Sequence, residues 1–339
     1  MSARSGVPTL QDVARCAGVH PATVSRALAR PEMVAPATRA LVLAAVDDLG
    51  FVPNRSARRL AGGRAEAVGV IVPDIANPYF ATTLQAIQAA AGRQELEVLI
   101  ADSGADPATE ARLLENLSRR VDGIVVCTPV SDLTAATVPV VQVNRQSRTV
   151  PSVVVDQTAI VTVAVDHLVG LGHRRIAYLH GPARYWSARR RSAAVAHIAR
   201  ERHHAVHIAT VHPAAVTFEG GRAVFDDVLA TGATAVLAFN DVQAAGLLIG
   251  AHHGGVAVPD DLSIIGSDGL DLASMTAPTL TTVAAPREEI GRRALERLVA
   301  ADAPLRTVLQ PRLQPGRSTD RPGVPTFVHQ PRSLRADVG

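Results

Sequence analysis

Thr9, Thr23, Ser25 and Arg26 bring three hydroxyls and a planar guanidinium into one short stretch near the start of the 339-residue chain. A guanidinium offers a fork of donors that matches O6 and N7 of guanine, and hydroxyls hydrogen-bond phosphate oxygens. Pro21 and Ala22 offer only apolar or shape contact, for example to a thymine methyl. To act together, these residues must sit on a helix-turn-helix whose second helix enters a major groove by its N-terminal end. A second polar set, Asp74, Asn144, Asn240 and Asp268, closes a series of apolar runs. Side chains in that position line a cleft where parallel strands end.

The elements that would position the first set are legible. Thr9-Leu10-Gln11-Asp12 places a hydroxyl at a helix N-cap with an acid three residues on, a capping-box start. Leu10, Val13, Ala14 and Ala17 then form an apolar face, ended by Gly18. Pro21 suits the first turn of a second helix, where its missing N–H is no loss. Val24, Ala27 and Leu28 give that helix its buried face. Pro36 opens a third helix, expected to pack through Leu41, Ala44, Ala45, Val46 and Leu49 before Gly50 stops it. Asn54 to Ala61 reads as a short charged helix, marginal on its own.

From Ala67 the texture changes. Apolar runs ending in Asp, Asn, Pro or Gly alternate with helical stretches: AVGVIVPD (67–74), EVLIAD (97–102), DGIVVCTP (122–129), PVVQVN (139–144), SVVVD (152–156), RIAYLHG (175–181), AVLAFND (235–241) and DLSIIGSDG (261–269). Continuous β-branched runs separated by helices indicate parallel sheets covered on both faces. Two such series imply two doubly wound lobes. Residues 313–339, rich in Pro and Arg, show no apolar heptad and read as a loose tail.

Composition narrows the function. Hydrophobic residues make up 47% of the chain and aromatics only 3%, so Ala, Val, Leu and Ile carry the packing. Residues 1–65 hold nine arginines against Asp12, Glu32, Asp47 and Asp48, so a chain of net charge +3 has a basic head on a slightly acidic body. That asymmetry suits a nucleic-acid-binding module joined to something else. All 34 basic residues are Arg, as a GC-rich genome would produce. Cys16 and Cys127 lie far apart in apolar settings, and neither a disulfide nor a metal site is expected. His173, His180, His203, His204, His252 and His253 show no metal-ligand spacing and no nucleophile elbow, and are expected at solvated or loop positions. No phosphate-binding glycine loop is present. An enzyme, a cofactor and a metal are therefore not expected. With no signal-peptide pattern and no apolar run of membrane-spanning length, a soluble cytoplasmic protein is expected.

The stretch TLQDVARCAGVHPATVSRALARPEMVAPATRALVLAAVDDLGFVPNRSARRLAGG resembles the head of the lactose-repressor (LacI/GalR) family. The likeness continues through VPDIANPYF, VDGIVV, DHLVGLGHRRIAYLHGP, AFNDVQAAG, VPDDLSIIGSDG and PTLTTV, covering roughly residues 8–312. It implies an all-α helix-turn-helix head (1–53), a hinge helix (54–65) and an α/β part with two parallel-sheet lobes of periplasmic-binding-protein type. The first lobe is expected at 66–162 and 285–312, the second at 163–284 and 313–330, and a tail at 331–339. It further implies a regulator, a repressor in the commoner pattern, that binds double-stranded operator DNA as a homodimer and is released by a small molecule, a carbohydrate, held between the lobes. The alternative is a nucleobase or nucleoside corepressor.

The resemblance also assigns roles. Asn54, Arg55, Ala57 and Leu60 match the hinge, with Leu60 as the apolar wedge that enters the minor groove and kinks the duplex. Asp74, Asn77, Tyr79 and Phe80 are expected to face the effector from the first lobe, joined there by the strand-end residue Asn144, and Arg191, Asn240 and Asp268 from the second. Phe80 as a core residue and Asp268 as a strand-end turn residue stay open as alternatives. The second-lobe aromatic usual in the family is replaced by Ala215, leaving Phe218 or Trp186 to take its place. His20 and Ala35 replace the usual polar N-caps, each loss costing about 1 kcal/mol. A periplasmic solute-binding protein would need a signal peptide and no basic head; an α/β enzyme would need a clustered acid/base or nucleophile set.

Overall fold

The computed structural model describes residues 8–51, 65–202, 204–213, 215–300 and 304–323. The hinge residues Asn54, Arg55, Ala57 and Leu60 and the expected tail at 331–339 lie outside them. The chain divides into two compact units, a helical head and an α/β body.

The head holds α1 (Leu10–Cys16), α2 (Pro21–Ala29), a 3-10 turn (Pro31–Met33) and α3 (Pro36–Leu49). Thr9 caps α1 through the expected box, its hydroxyl accepting from the Asp12 amide and its own amide donating to the Asp12 carboxylate. Val13, Ala14, Val24, Ala27, Val42, Ala45 and Phe51 form the core. Three details differ from expectation. Leu41 and Ala44 are exposed, and α3 packs instead through Val42, Ala45, Val46 and Leu49, whose i, i+3, i+4, i+7 spacing makes one face. The N-cap of α2 is not lost either, because His20 Nδ1 accepts the Ala22 amide at 3.2 Å. Ala35 makes no side-chain cap, as its chemistry dictates. Cys16 is exposed, contrary to the apolar setting read for it.

The body contains two six-stranded sheets. The first comprises β1 (Ala67–Val72), β2 (Glu97–Asp102), β3 (Gly123–Cys127), β4 (Val140–Val143), β5 (Ser152–Val155) and β11 (Arg306–Leu309), in the order β11-β5-β4-β3-β1-β2. The second comprises β6 (Arg175–Leu179), β7 (His207–Val211), β8 (Ala235–Leu237), β9 (Ser263–Asp268), β10 (Thr281–Ala284) and β12 (Arg312–Gln314), in the order β12-β10-β9-β8-β6-β7. In each, the strand order reverses beside its first strand, where a doubly wound sheet opens a crevice at its carboxyl edge. β1, β3, β4 and β5 are buried along their whole length, which is why they read as unbroken apolar runs.

The helices are α4 (Pro78–Gly92), α5 (Pro107–Ser118), α6 (Gln157–Leu171), α7 (Trp186–Glu201), α8 (Phe218–Ala223), α9 (Phe225–Ala230), α10 (Asp241–Gly254), α11 (Leu272–Met275) and α12 (Arg287–Val299). The chain passes from the first sheet to the second through α6, returns through α12, and crosses again between β11 and β12. One buried cluster runs from Val70, Val125 and Val153 through Ile160, Ala164 and Leu168 of α6 to Ile176 and Ile265.

The segment read as a loose tail is not loose where it is described. β12 pairs antiparallel with β10 through Thr282, Val283 and Ala284. Beyond it, Ser318 is fully buried, donating to the Ile264 carbonyl and accepting from the Thr281 amide at 2.8 Å. His173 is likewise buried rather than solvated. Its ring contacts Thr234 Oγ1 at 2.8 Å, Ser263 Oγ at 3.1 Å and the Asp320 carbonyl at 2.8 Å, tying the segment after β12 to the second lobe.

Candidate functional site

On α2, Val24 and Ala27 turn inward, while Ala22 and Arg26, one turn apart, are exposed together; Pro21, Thr23 and Ser25 flank them half-buried. Amphipathic spacing thus leaves the guanidinium on the solvent face of the second helix. Thr9 is also exposed, although its hydroxyl already serves the α1 cap.

Between the lobes of the body lies a cleft of about 870 Å³. All eight residues expected to face an effector line it: Asp74, Asn77, Tyr79, Phe80, Asn144, Arg191, Asn240 and Asp268. Asn77 caps α4, its Oδ1 accepting the Tyr79 amide at 3.0 Å. That cap turns Tyr79 and Phe80 under the cleft, their rings edge to face with centroids 5.2 Å apart. Phe80 therefore plays both parts left open for it, wall and core. Asn144, in left-handed backbone (φ 58°), donates from Nδ2 to the Tyr79 hydroxyl at 2.8 Å; its buried Oδ1 has no partner among the described residues. Asn240 is more committed, capping α10 through Gln243 N at 2.8 Å and donating to the Val216 carbonyl at 3.2 Å.

Among the described residues, the buried charged side chains lining the cleft are Arg191 and Asp268. Arg191, buried on α7, donates from Nε to Gln157 Oε1 at 2.7 Å and from Nη1 to the Phe239 carbonyl at 2.5 Å. Its guanidinium also lies 4.7 Å over the Phe239 ring. Asp268 ends β9 with φ 138°, a conformation that L residues rarely adopt. Burial, then the nearby charge of Asp241, push its carboxyl well above the ordinary range, against the pull of Arg191 and Arg287. Burial raises Asp241 as well, although its carboxylate receives the Leu270 amide at 2.7 Å and the Thr282 hydroxyl at 2.6 Å. The Tyr79 hydroxyl is pushed up by burial and by Asp268. An arrangement of fork, carboxylate, amide and aromatic face is one that holds a polyhydroxylated ring. Among the described residues, no group of three or more His, Cys, Asp or Glu is placed to hold a metal ion. No helix there is long and apolar enough to cross a membrane.

Residues 9–54 match the model of bacterial regulatory proteins of the lacI family, and residues 165–319 match that of a periplasmic binding protein-like domain. The transcriptional regulator DegA of Bacillus subtilis (strain 168) is 31% identical over 296 residues, which span 84% of this chain and 88% of DegA. The chain belongs to the LacI family. Solved structures agree with that placement. This LacI-family chain superposes on the Lac repressor dimer bound to operator and the anti-inducer ONPF with a TM-score of 0.80 and 27% identity, over 93% of this chain and 100% of that one. A complex of the regulator CelR with cellobiose gives 0.68 and 27%, over 92% and 99%. The protein is thus a DNA-binding transcription regulator with a helix-turn-helix head and two parallel-sheet α/β lobes like those of Lac repressor.

Several cleft residues of this LacI-family chain escaped the sequence reading. Neither Phe218 nor Trp186 reaches the cleft; Tyr185, one residue before Trp186, lines it instead. His180 and His212, from loops that follow β6 and β7, also line it with ring centroids 4.9 Å apart. Gln157, Asp102 and Phe239 also line the wall. Asp102 and Gln157 closely follow the strand-end rule already applied to Asp74, and could have been found by it. The pairing of His180 with His212 needed the β6–β7 register.

Proposed function

We propose that this chain is a cytoplasmic repressor that binds a near-palindromic operator as a homodimer and loses operator affinity when a sugar occupies the interlobe cleft. The observation that carries this reading is the convergence of Arg191, Asp268, Asn144 and Tyr79 in one cleft at the carboxyl ends of two parallel sheets. Asp74, Asn77 and Asn240 complete the polar set, and Phe80 supplies an apolar face to the ring. The CelR–cellobiose neighbour supports a carbohydrate, and the operator-bound Lac repressor dimer supports the assembly.

On DNA, Arg26 reads guanine, Pro21 and Ala22 make apolar contact, and Thr9, Thr23 and Ser25 hold phosphates. Asn54, Arg55, Ala57 and Leu60 supply the hinge, with Leu60 wedged in the minor groove. The sugar acts only through its differential affinity for the DNA-binding and released states.

The test begins with a duplex selected from a random pool by the full-length protein. Its affinity should fall steeply with added salt, as phosphate contact requires. Cellobiose, ribose and adenosine are then titrated against the complex. Release by a sugar is the expected result. Tightening by adenosine would favour a nucleoside corepressor, and a ligand that binds without altering operator affinity would sink the switch.

A further inference from the structure

Arg287 opens α12, the element that carries the chain back into the first lobe. Its Nη1 donates to Thr82 Oγ1 on α4 of that lobe at 3.0 Å, and its Nη2 donates to the Gly269 carbonyl of the second lobe at 2.5 Å. Gly269 directly follows Asp268, whose side chain lines the cleft. One planar guanidinium therefore spans from α4 to the residue next to a cleft carboxylate.

Both hydrogen-bond acceptors are neutral, and the Arg287 charge also draws on Asp268 and Asp241; a rigid fork sets the separation of the two acceptors in a way that a flexible ammonium does not. The neighbouring Glu289 is occupied elsewhere, by Arg292 and Arg293. The loop beyond is pinned at its other amides: Leu270 N reaches Asp241, and Gly269 N reaches Thr282 Oγ1 at 3.3 Å. Gly269 itself has φ 73°, and a Cβ there would stand 2.4 Å from that of Ala284. Movement of residue 268 is thus passed to the 269 carbonyl rather than absorbed in a slack loop. α4 in turn packs along α12 through Gly291, where a Cβ would lie 2.4 Å from the Thr83 carbonyl.

We infer that Arg287 is the positioning residue that transmits occupancy of the cleft at Asp268 to helix α4 of the first lobe. This rests on the proposed effector reading of the same cleft. A ligand donor drawn to Asp268 shifts the 268–270 turn; the Gly269 carbonyl moves with it; Arg287, anchored on Thr82, carries the displacement to α4.

Amide hydrogen exchange of the full-length protein, followed by mass spectrometry, tests the tie without any ligand. In Arg287→Ala, exchange should accelerate tenfold or more at 268–272 and, in the same variant, at 78–86. Acceleration confined to one segment, or to neither, overturns the inference. Thr82→Val, which keeps the bond to Gly269 but removes the anchor, should loosen 78–86 in the same direction and decides the matter if Arg287→Ala fails to fold. With cellobiose, ribose or adenosine added, a compound that slows exchange at 268–272 in both proteins should slow it at 82–90 of α4, beyond the cleft residues Tyr79 and Phe80, only in the wild type. Equal transmission in Arg287→Ala overturns the tie. A wild type whose operator affinity ignores such a compound overturns the effector reading instead, and leaves the ligand-free result standing.

Discussion

Arg191 bridges two parts of the body: its Nε lies 2.7 Å from Gln157 Oε1 at the crossover helix, while Nη1 donates to the carbonyl of Phe239, two residues beyond β8. Gln157 is itself held, donating to the Val155 carbonyl at 3.1 Å. The guanidinium is thereby fixed on two sides before any ligand arrives, which lowers the ordering cost of binding.

Removal of that bridge should be felt in stability as well as binding. Arg191→Ala leaves a buried amide oxygen and a buried carbonyl unpaired, at about 1–3 kcal/mol each. The melting temperature should fall by roughly 2–4 °C for each kcal/mol lost in a body of this size. Arg191→Lys should recover little of it, because an ammonium cannot present the fork. Calorimetry of the three proteins checks this, and a melting point unchanged in Arg191→Ala would count against it.

Asp268 predicts a slope with pH. Its folded carboxyl titrates well above the ordinary value, so the folded state keeps a proton over a range where the unfolded chain has lost it. Stability therefore falls as pH rises through that range. Asp268→Asn, with no charge to desolvate, should lose this component and melt higher than wild type at pH 8, the gap narrowing towards pH 4. A variant less stable than wild type at pH 8 would contradict the assigned cause.

Arg26 is exposed on the outer face of α2, so its loss should leave folding within about 0.5 kcal/mol of wild type. Operator affinity of Arg26→Ala should drop by about 1–3 kcal/mol, roughly 5- to 150-fold, and discrimination at one base pair should relax. Fluorescence anisotropy with the selected duplex and its single-base variants measures both. Uniform weakening across all variants would make Arg26 a phosphate contact instead.

Close backbone approach predicts a fourth outcome. A Cβ on Gly246 of α10 would stand 2.0 Å from the Phe218 carbonyl of α8, and one on Gly221 of α8 would stand 2.1 Å from the Gln243 carbonyl. Gly246→Ala should force these helices apart and cost about 1–3 kcal/mol in chemical denaturation. A neutral result would mean that α8 and α10 can separate freely.

Much of this was legible before any fold was known, because the signals are local or periodic. The capping box at Thr9, the prolines opening α2 and α3, and the buried runs of β1, β3, β4 and β5 follow from rules that act over a few residues. Strand-end polar residues pointed to the cleft because a parallel sheet puts all its carboxyl ends on one edge. Less legible were β7, β10, β11 and β12: β7, β11 and β12 lie at sheet edges, where one side faces solvent and the apolar run is diluted.

The order of residues along the chain determined the main helices, the strands that read as unbroken apolar runs, and which side chains stand where those strands end. Tertiary structure alone decided that His173 is buried against a distant carbonyl, that Tyr185 and not Trp186 faces the cleft, and that Arg191 and Arg287 each tie together groups far apart in sequence. The physical reason is range. Backbone propensity and amphipathic period are set by neighbours, whereas the partner of a long polar side chain is set by which carbonyls and hydroxyls the packed sheets bring within about 3 Å of it.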